Sequence, residues 1–353
     1  MNEGKKREWS KRGKGLFFAL VTAMICGCAE KKPTLYLYTW SDYIAPEVIA
    51  DFEKANGCHV CIDTFTSNEA LYAKLRTGGG AYDLVFPSTF FIPMLRDTKL
   101  IQPFDLNLLP RVRENFDPDF KDKIFDPTFT FSVPYTLFYT GLAYNARKVT
   151  AAPLSWEAYM ESPFKTRSTL LGDMRMTIGA ALKVLGYSLN STRREEIEAA
   201  TQKVIGWKEK IARFDTDGYK IGLATGEFLL CMAYNGDIAQ VQEELPHIRF
   251  SYPKEGYPCS SDEICLPLAA RHVELAHRFV DFLYDPDTAA RNMAFNGFCM
   301  PVRGAVGRLD PDLRRKRVRF PDREELSRAE LLRPVGSALP LYIKAWDLIK
   351  AAE

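Results

Sequence analysis

From Leu35 to the end of the chain, short apolar runs closed by turn residues alternate with stretches whose apolar positions recur every three to four residues. This alternation constrains the fold more than any other feature, because strands separated by helices build covered sheets and the class is α/β. Leu35–Tyr38 reads as a strand. Pro46 to Ala55 reads as a helix with Val48, Ile49 and Phe52 on one face, stopped at Asn56-Gly57. "CHVCIDTF" is the next strand. Thr66, Ser67, Asn68 and Glu69 have capping-box spacing ahead of a helix carrying Leu71 and Leu75, which Gly78-Gly79-Gly80 ends. That glycine run lacks the following Lys-Ser/Thr of a phosphate loop. Two strands, in "LYLYTWSDYI" and "YDLVFPSTFF", deliver hydroxyls and aromatics near their carboxyl ends, where open α/β sheets hold ligands. The indole, hydroxyl, carboxylate and phenol of Trp40 to Tyr43 suit a ligand that combines apolar carbon with positive charge.

Further along, "FSVPYTLFYTGLAYN" is extended and leaves a first lobe, and "RFSYPKEGYPCSSDEICLPL" is the return. Between them lie a helix, "GAALKVLGYS", and a strand-like segment, "LLCMAYNGDIA". Residues 272–303 read as helical, with Phe279, Phe282 and Leu283 on one face and a break at Asn296-Gly297 and Pro301. A last helix covers "ALPLYIKAWDLIKAAE". The chain has 353 residues, enough for two lobes. A chain that crosses between lobes more than once builds a cleft whose walls come from distant segments.

The N-terminus reads as an export signal. Six Lys/Arg precede the apolar run "GLFFALVTAMICG", which is too short to span a bilayer. With Cys28 directly after Gly27, the segment resembles a bacterial lipoprotein signal. That resemblance implies residues 1–27 as signal peptide, acylation of Cys28, residues 28–33 as a tether, and a periplasmic protein anchored to a bacterial membrane. Residues 1–27 carry those six cations against Glu3 and Glu8, so the remainder has net charge −2 although the whole chain has +2. Nucleic acid is therefore not an expected partner. "RRKRVR", Arg314 to Arg319, reads as a solvated basic turn. Cys58 and Cys61 match CxxC superficially, but they sit in a strand, where positions three apart face opposite sides. The six cysteines beyond the signal read as packed or free thiols. The four histidines are scattered, so no metal set or triad is expected, and no cofactor.

"LYLYTWSDYI", "SNEALYAKLRTGGGAYDLVFPSTFF", "LGYS", "AYNGDIA", "YPKEG" and "NGFCMPVRGA" together resemble the polyamine-binding components of bacterial ABC importers. The resemblance runs from about Leu35 to the C-terminal helix. It implies the type II periplasmic-binding-protein fold: two α/β lobes, a hinge, and a ligand cleft between them. The lobes expected are residues 34–138 plus 259–305 and residues 139–258 plus 306–353. The ligand implied is putrescine or spermidine, and the partner a membrane permease. Ammonium groups need carboxylates and methylenes prefer aromatic faces, so such a cleft is acidic at intervals and aromatic between. The ligand-binding residues implied are Trp40, Ser41, Asp42, Tyr43, Ser88, Phe90, Asp173, Tyr234 and Asp262. Asp42 and Asp173 are expected to hold one ammonium and Asp262 the other. Asp173 also reads as a helix cap or as an ion-pair partner of Arg175. Met176, Ser260 and Leu332 stand where the family offers a glutamate, a tryptophan and a glutamine, which favours putrescine over spermidine.

Other readings stay open on residues alone: a binding protein of the same fold for another cation or iron, an exported enzyme, or an adhesin. Iron would ask for a converging Tyr/His/carboxylate set, which the sequence does not identify. No G-x-S-x-G or HExxH occurs, so no enzyme is expected.

Overall fold

A computed structural model describes residues 32–352 except 79–80 and 162–163. The signal segment 1–27, Cys28 and most of the tether 28–33 lie outside the described residues.

Strands β1 (Thr34–Thr39), β2 (His59–Thr64) and β3 (Leu84–Val85) form a parallel sheet in the order β2-β1-β3. The helix Pro46–Asn56 connects the first two and ends at Gly57, whose φ of 60° takes the left-handed cap that glycine adopts without strain. Phe52 of this helix is fully buried, with its ring edge-on to Phe279 at 4.8 Å, a burial that stabilises by about 2–3 kcal/mol. The next helix, Asn68–Arg76, is capped by Ser67, whose side chain accepts from Ala70 N. The expected capping box on Thr66 is therefore displaced by one residue, which leaves Glu69 out of a box.

β4 (Ile101–Gln102) is short, and the long β5 (Val133–Asn145) then runs through the molecule. After it come β6 (Ser168–Leu170), β7 (Arg213–Phe214), β8 (Leu230–Tyr234), β9 (Ile248–Ser251) and β10 (Tyr257–Ile264). β11 (Leu266–Pro267) pairs antiparallel with β4, and β12 (Ala329–Leu331) completes the second sheet. That sheet has the order β12-β10-β5-β8-β6-β7, with β9 also on β5. The first half of β5 pairs with β10, from Val133↔Ile264 to Tyr139↔Cys259, and its second half with β8 and β9. Gly141 sits where this strand meets β9, since a Cβ there would lie 2.6 Å from Ser251 O.

Three further expectations change. "NGDIA" is the start of a helix, Asn235–Glu244, and only Leu230–Tyr234 is strand. Residues 272–303 contain two helices, Val273–Leu283 and Pro286–Asn296, broken where Asp285 caps the second by accepting from Asp287 N and Thr288 N. The basic turn is not wholly solvated either. Arg319 is 2% exposed and donates to the carbonyls of Met293 and Ala294 in the last turn of the helix Pro286–Asn296. Cys58, just ahead of β2, is buried and Cys61, within it, is exposed; Cys61, Cys231, Cys259, Cys265 and Cys299 are unbridged. Among the described residues no helix is long and apolar enough to cross a membrane.

Candidate ligand-binding site

The turn after β1 is held from behind. Ala45 N donates to Asn292 Oδ1, while the carbonyl of Tyr43 accepts from Asn296 Nδ2 and the Tyr135 hydroxyl, both at 3.0 Å. The helix Pro286–Asn296 thus fixes how the Trp40–Tyr43 segment leaves its strand. Tyr43 points inward, and its hydroxyl donates to Asp262 Oδ2 at 2.5 Å while close to the Thr136 hydroxyl. Asp262 lies on β10 at the bulge between Asp262 and Glu263, opposite Ser88, whose hydroxyl donates to Asp262 Oδ1 at 2.7 Å. The amide of Asn68 in turn donates to the Ser88 hydroxyl. A 4% exposed carboxylate is therefore anchored by two hydroxyls. Burial, the stronger effect, pushes its pKa up to about 7 against those hydrogen bonds, and Asp173 and Glu263 push the same way.

Asp173 caps the helix Met174–Val184, accepting from Met176 N at 3.0 Å. The capping alternative read from the sequence is thus present alongside a place in the cleft wall. Burial raises this carboxyl to about 6, against the Met176 N–H that stabilises its charge. Arg175 is turned elsewhere: its guanidinium lies 5.5 Å from the Phe90 ring and 4.8 Å from that of Tyr342, and it donates to the Arg333 carbonyl.

One cleft, about 580 Å³ counting the solvent at its mouth, gathers Trp40, Ser41, Tyr43, Ser88, Asp173, Tyr234 and Asp262 from the expected set. The lining, aromatic with a few convergent acids and hydroxyls, suits a small organic molecule. The Tyr234 ring stands edge-on to Phe138 at 5.4 Å, and Phe138 and Phe298 complete an aromatic wall. Phe298 can approach because residue 236 is glycine; a Cβ there would lie 2.4 Å from its ring.

Two expected residues stand apart from the lining. Phe90 is half-buried over Arg175. Asp42 adopts φ 52°, a left-handed conformation that aspartate tolerates better than most residues, and its exposed carboxylate meets Lys220 Nζ at 3.3 Å. The Asp173 charge pushes the Asp262 carboxyl up, whereas the contact that Asp42 makes is with Lys220. Met176, Ser260 and Leu332 are all buried and none lines the cleft.

Six lining residues escaped the sequence reading: Phe138, Thr216, Asp217, Lys220, Asp237 and Phe298. Asp237 carried a weak signal, an acid in the first turn of a helix, but that turn was read as strand. Thr216 and Asp217 belong to a polar connection with no periodicity to mark it, and Lys220 to the short helix Tyr219–Thr225 just after it.

A spermidine/putrescine-binding periplasmic protein of Escherichia coli (strain K12) is 33% identical over 335 residues, 94% of this chain and 96% of that one. The crystal structure of the TpPotD lipoprotein of Treponema pallidum matches with a TM-score of 0.80 and 31% identity, covering 90% of this chain and 99% of that one. The spermidine/putrescine ABC transporter substrate-binding protein PotD of Streptococcus pneumoniae matches with 0.75 and 28%, covering 90% and 100%. Residues 47–314 match the bacterial extracellular solute-binding proteins. The chain belongs to that family: an exported solute-binding protein rather than an enzyme, with the type II periplasmic-binding-protein fold of two α/β lobes joined by a hinge around a ligand cleft.

Proposed function

We propose that this protein is the substrate-binding component of an ABC importer for polyamines, taking putrescine in preference to spermidine and handing it to a membrane permease. The observation that carries this reading is the buried Asp262, held by hydroxyls rather than by a cation and coupled to Asp173 in an aromatic-walled cleft. Two acids whose charge is resisted by burial lose that penalty when an ammonium arrives between them. Trp40, Tyr234, Phe138 and Phe298 offer faces and edges to the methylenes. Ser41 and Ser88 orient the acidic end, and Tyr43 fixes the Asp262 carboxylate. Asp42 acts at the rim, and Phe90 acts through Arg175. The relatives named for spermidine and putrescine support the ligand class.

The lobes of this reading are residues 34–138 plus 259–305 and 139–258 plus 306–353. They close over the ligand, exclude water, and present the closed form to the permease. Acylation at Cys28 after removal of residues 1–27, with 28–33 as tether, anchors the protein in a bacterial membrane. The Treponema lipoprotein supports that arrangement.

Calorimetric titration of a form beginning after Cys28, at moderate salt, tests the reading. The expected result is one-to-one binding, tighter for putrescine than for spermidine. No heat with any polyamine from folded, ligand-free protein would send the search to another ligand. A spermidine preference would remove only the ranking.

A further inference from the structure

Lys220 is the only cationic side chain among the described residues lining the cleft. It enters from the short helix Tyr219–Thr225, and its Nζ lies 3.3 Å from Asp42 Oδ2 and 3.8 Å from Asp237 Oδ1. Asp42 follows β1, whereas Lys220 and Asp237 belong to the helices on either side of β8, so the pair spans two distant segments of the cleft wall. Lys220 is 22% exposed and Asp237 17%, while Asp42 on the rim is 63% exposed. Asp237 is further held by the Tyr219 hydroxyl. Burial alone would pull the lysine pKa down, but Asp237, Asp42 and Asp217 outweigh it and hold the side chain protonated.

The cleft is therefore unequal at its two ends. At Asp262 and Asp173 the carboxylates rest on hydroxyls and a backbone N–H. At Asp42 and Asp237 an ammonium is already in place. We propose that Lys220 is a specificity-determining residue, a resident ammonium at the far end of the cleft that limits the ligand to two charges. The inference rests on the polyamine reading and sharpens it. A diamine sets one ammonium at Asp262 and Asp173, lays its methylenes along Tyr234, and reaches Asp217 with the other. A triamine carries a third ammonium onward into the one Lys220 supplies, and like charges in a partly desolvated site repel strongly. The protein's own lysine, rather than the loss of a carboxylate, sets the ranking.

The test is calorimetric titration of wild type, Lys220→Met and Lys220→Arg with three ligands: putrescine, spermidine, and spermidine acetylated on its aminopropyl nitrogen. The acetylated compound keeps the length of spermidine without its end charge. On wild type it should bind more tightly than spermidine. In Lys220→Met the spermidine-to-putrescine affinity ratio should rise on the order of tenfold and the advantage of the acetylated ligand should vanish. Lys220→Arg should keep the wild-type ranking. Lys220→Gln replaces Lys220→Met if the latter fails to fold. A ratio unchanged in the neutral variant, with both ligands weakened alike, would reduce Lys220 to a tie across the cleft and overturn this inference alone. Failure of folded wild type to bind any of the three would overturn the polyamine reading and this inference with it.

Discussion

Asp262 is the residue at which folding and binding pull in opposite directions. Its pKa stands near 7 in the folded chain, above the ordinary carboxylate value of 3.8. A group raised on folding contributes stability that is complete below its unfolded pKa and is lost as pH rises through the folded one. The free protein should thus lose stability between about pH 4 and pH 8, while affinity for a dication climbs as Asp262 and Asp173 ionise between about pH 6 and pH 7. Asp262→Asn separates the two effects. By urea unfolding without ligand it should be more stable than wild type at pH 8 by about 1–3 kcal/mol, an advantage that fades by pH 5. Putrescine binding should fall about 10- to 100-fold, as expected for loss of a charge-assisted contact. Equal destabilisation at both pH values would mean that the side chain serves packing alone.

At the scale of elements, the cleft depends on two helix starts. Met174–Val184 begins at Asp173, and Asn235–Glu244 begins beside the Phe298 ring. Alanine ordinarily improves a helix over glycine by about 1 kcal/mol. At Gly236 the added Cβ would lie 2.4 Å from the Phe298 ring, so the ring must move. Gly236→Ala should therefore destabilise by about 1–2 kcal/mol in urea unfolding and weaken putrescine binding as well. A stabilised variant with unaltered affinity would show that Phe298 is free to shift. The same elements show what could be read in advance. Trp40–Tyr43 and Ser88 were legible because each cluster is contiguous and ends a run of strand-forming residues. The start of Asn235–Glu244 was not, because β8 runs straight into it with no residue between and Tyr234 serves as N-cap with no side-chain hydrogen bond. Lys220 was hidden for a different reason: its meaning comes from Asp42, 178 positions away. Arg319 was misread since nothing local reveals which member of a basic run meets a helix end.

For the whole molecule, the α/β class was legible in the alternation of strand and helix, while the side of the cleft faced by each polar loop was not. Closure over a ligand should slow exchange where the walls meet and leave the frame alone. Hydrogen exchange with putrescine should show about tenfold or greater protection at Ser41–Ala45 and Thr216–Lys220, with no change along β5. Protection spread evenly over the chain would indicate general stabilisation instead of closure. β5 itself has a consequence for dismantling the protein. Its residues 133–139 pair with β10, and 140–145 with β8 and β9. No single scissor cut in the chain yields a self-contained half, because each contains a fragment of the same thread. Whatever trims, duplicates or recombines this gene must carry both lobes together.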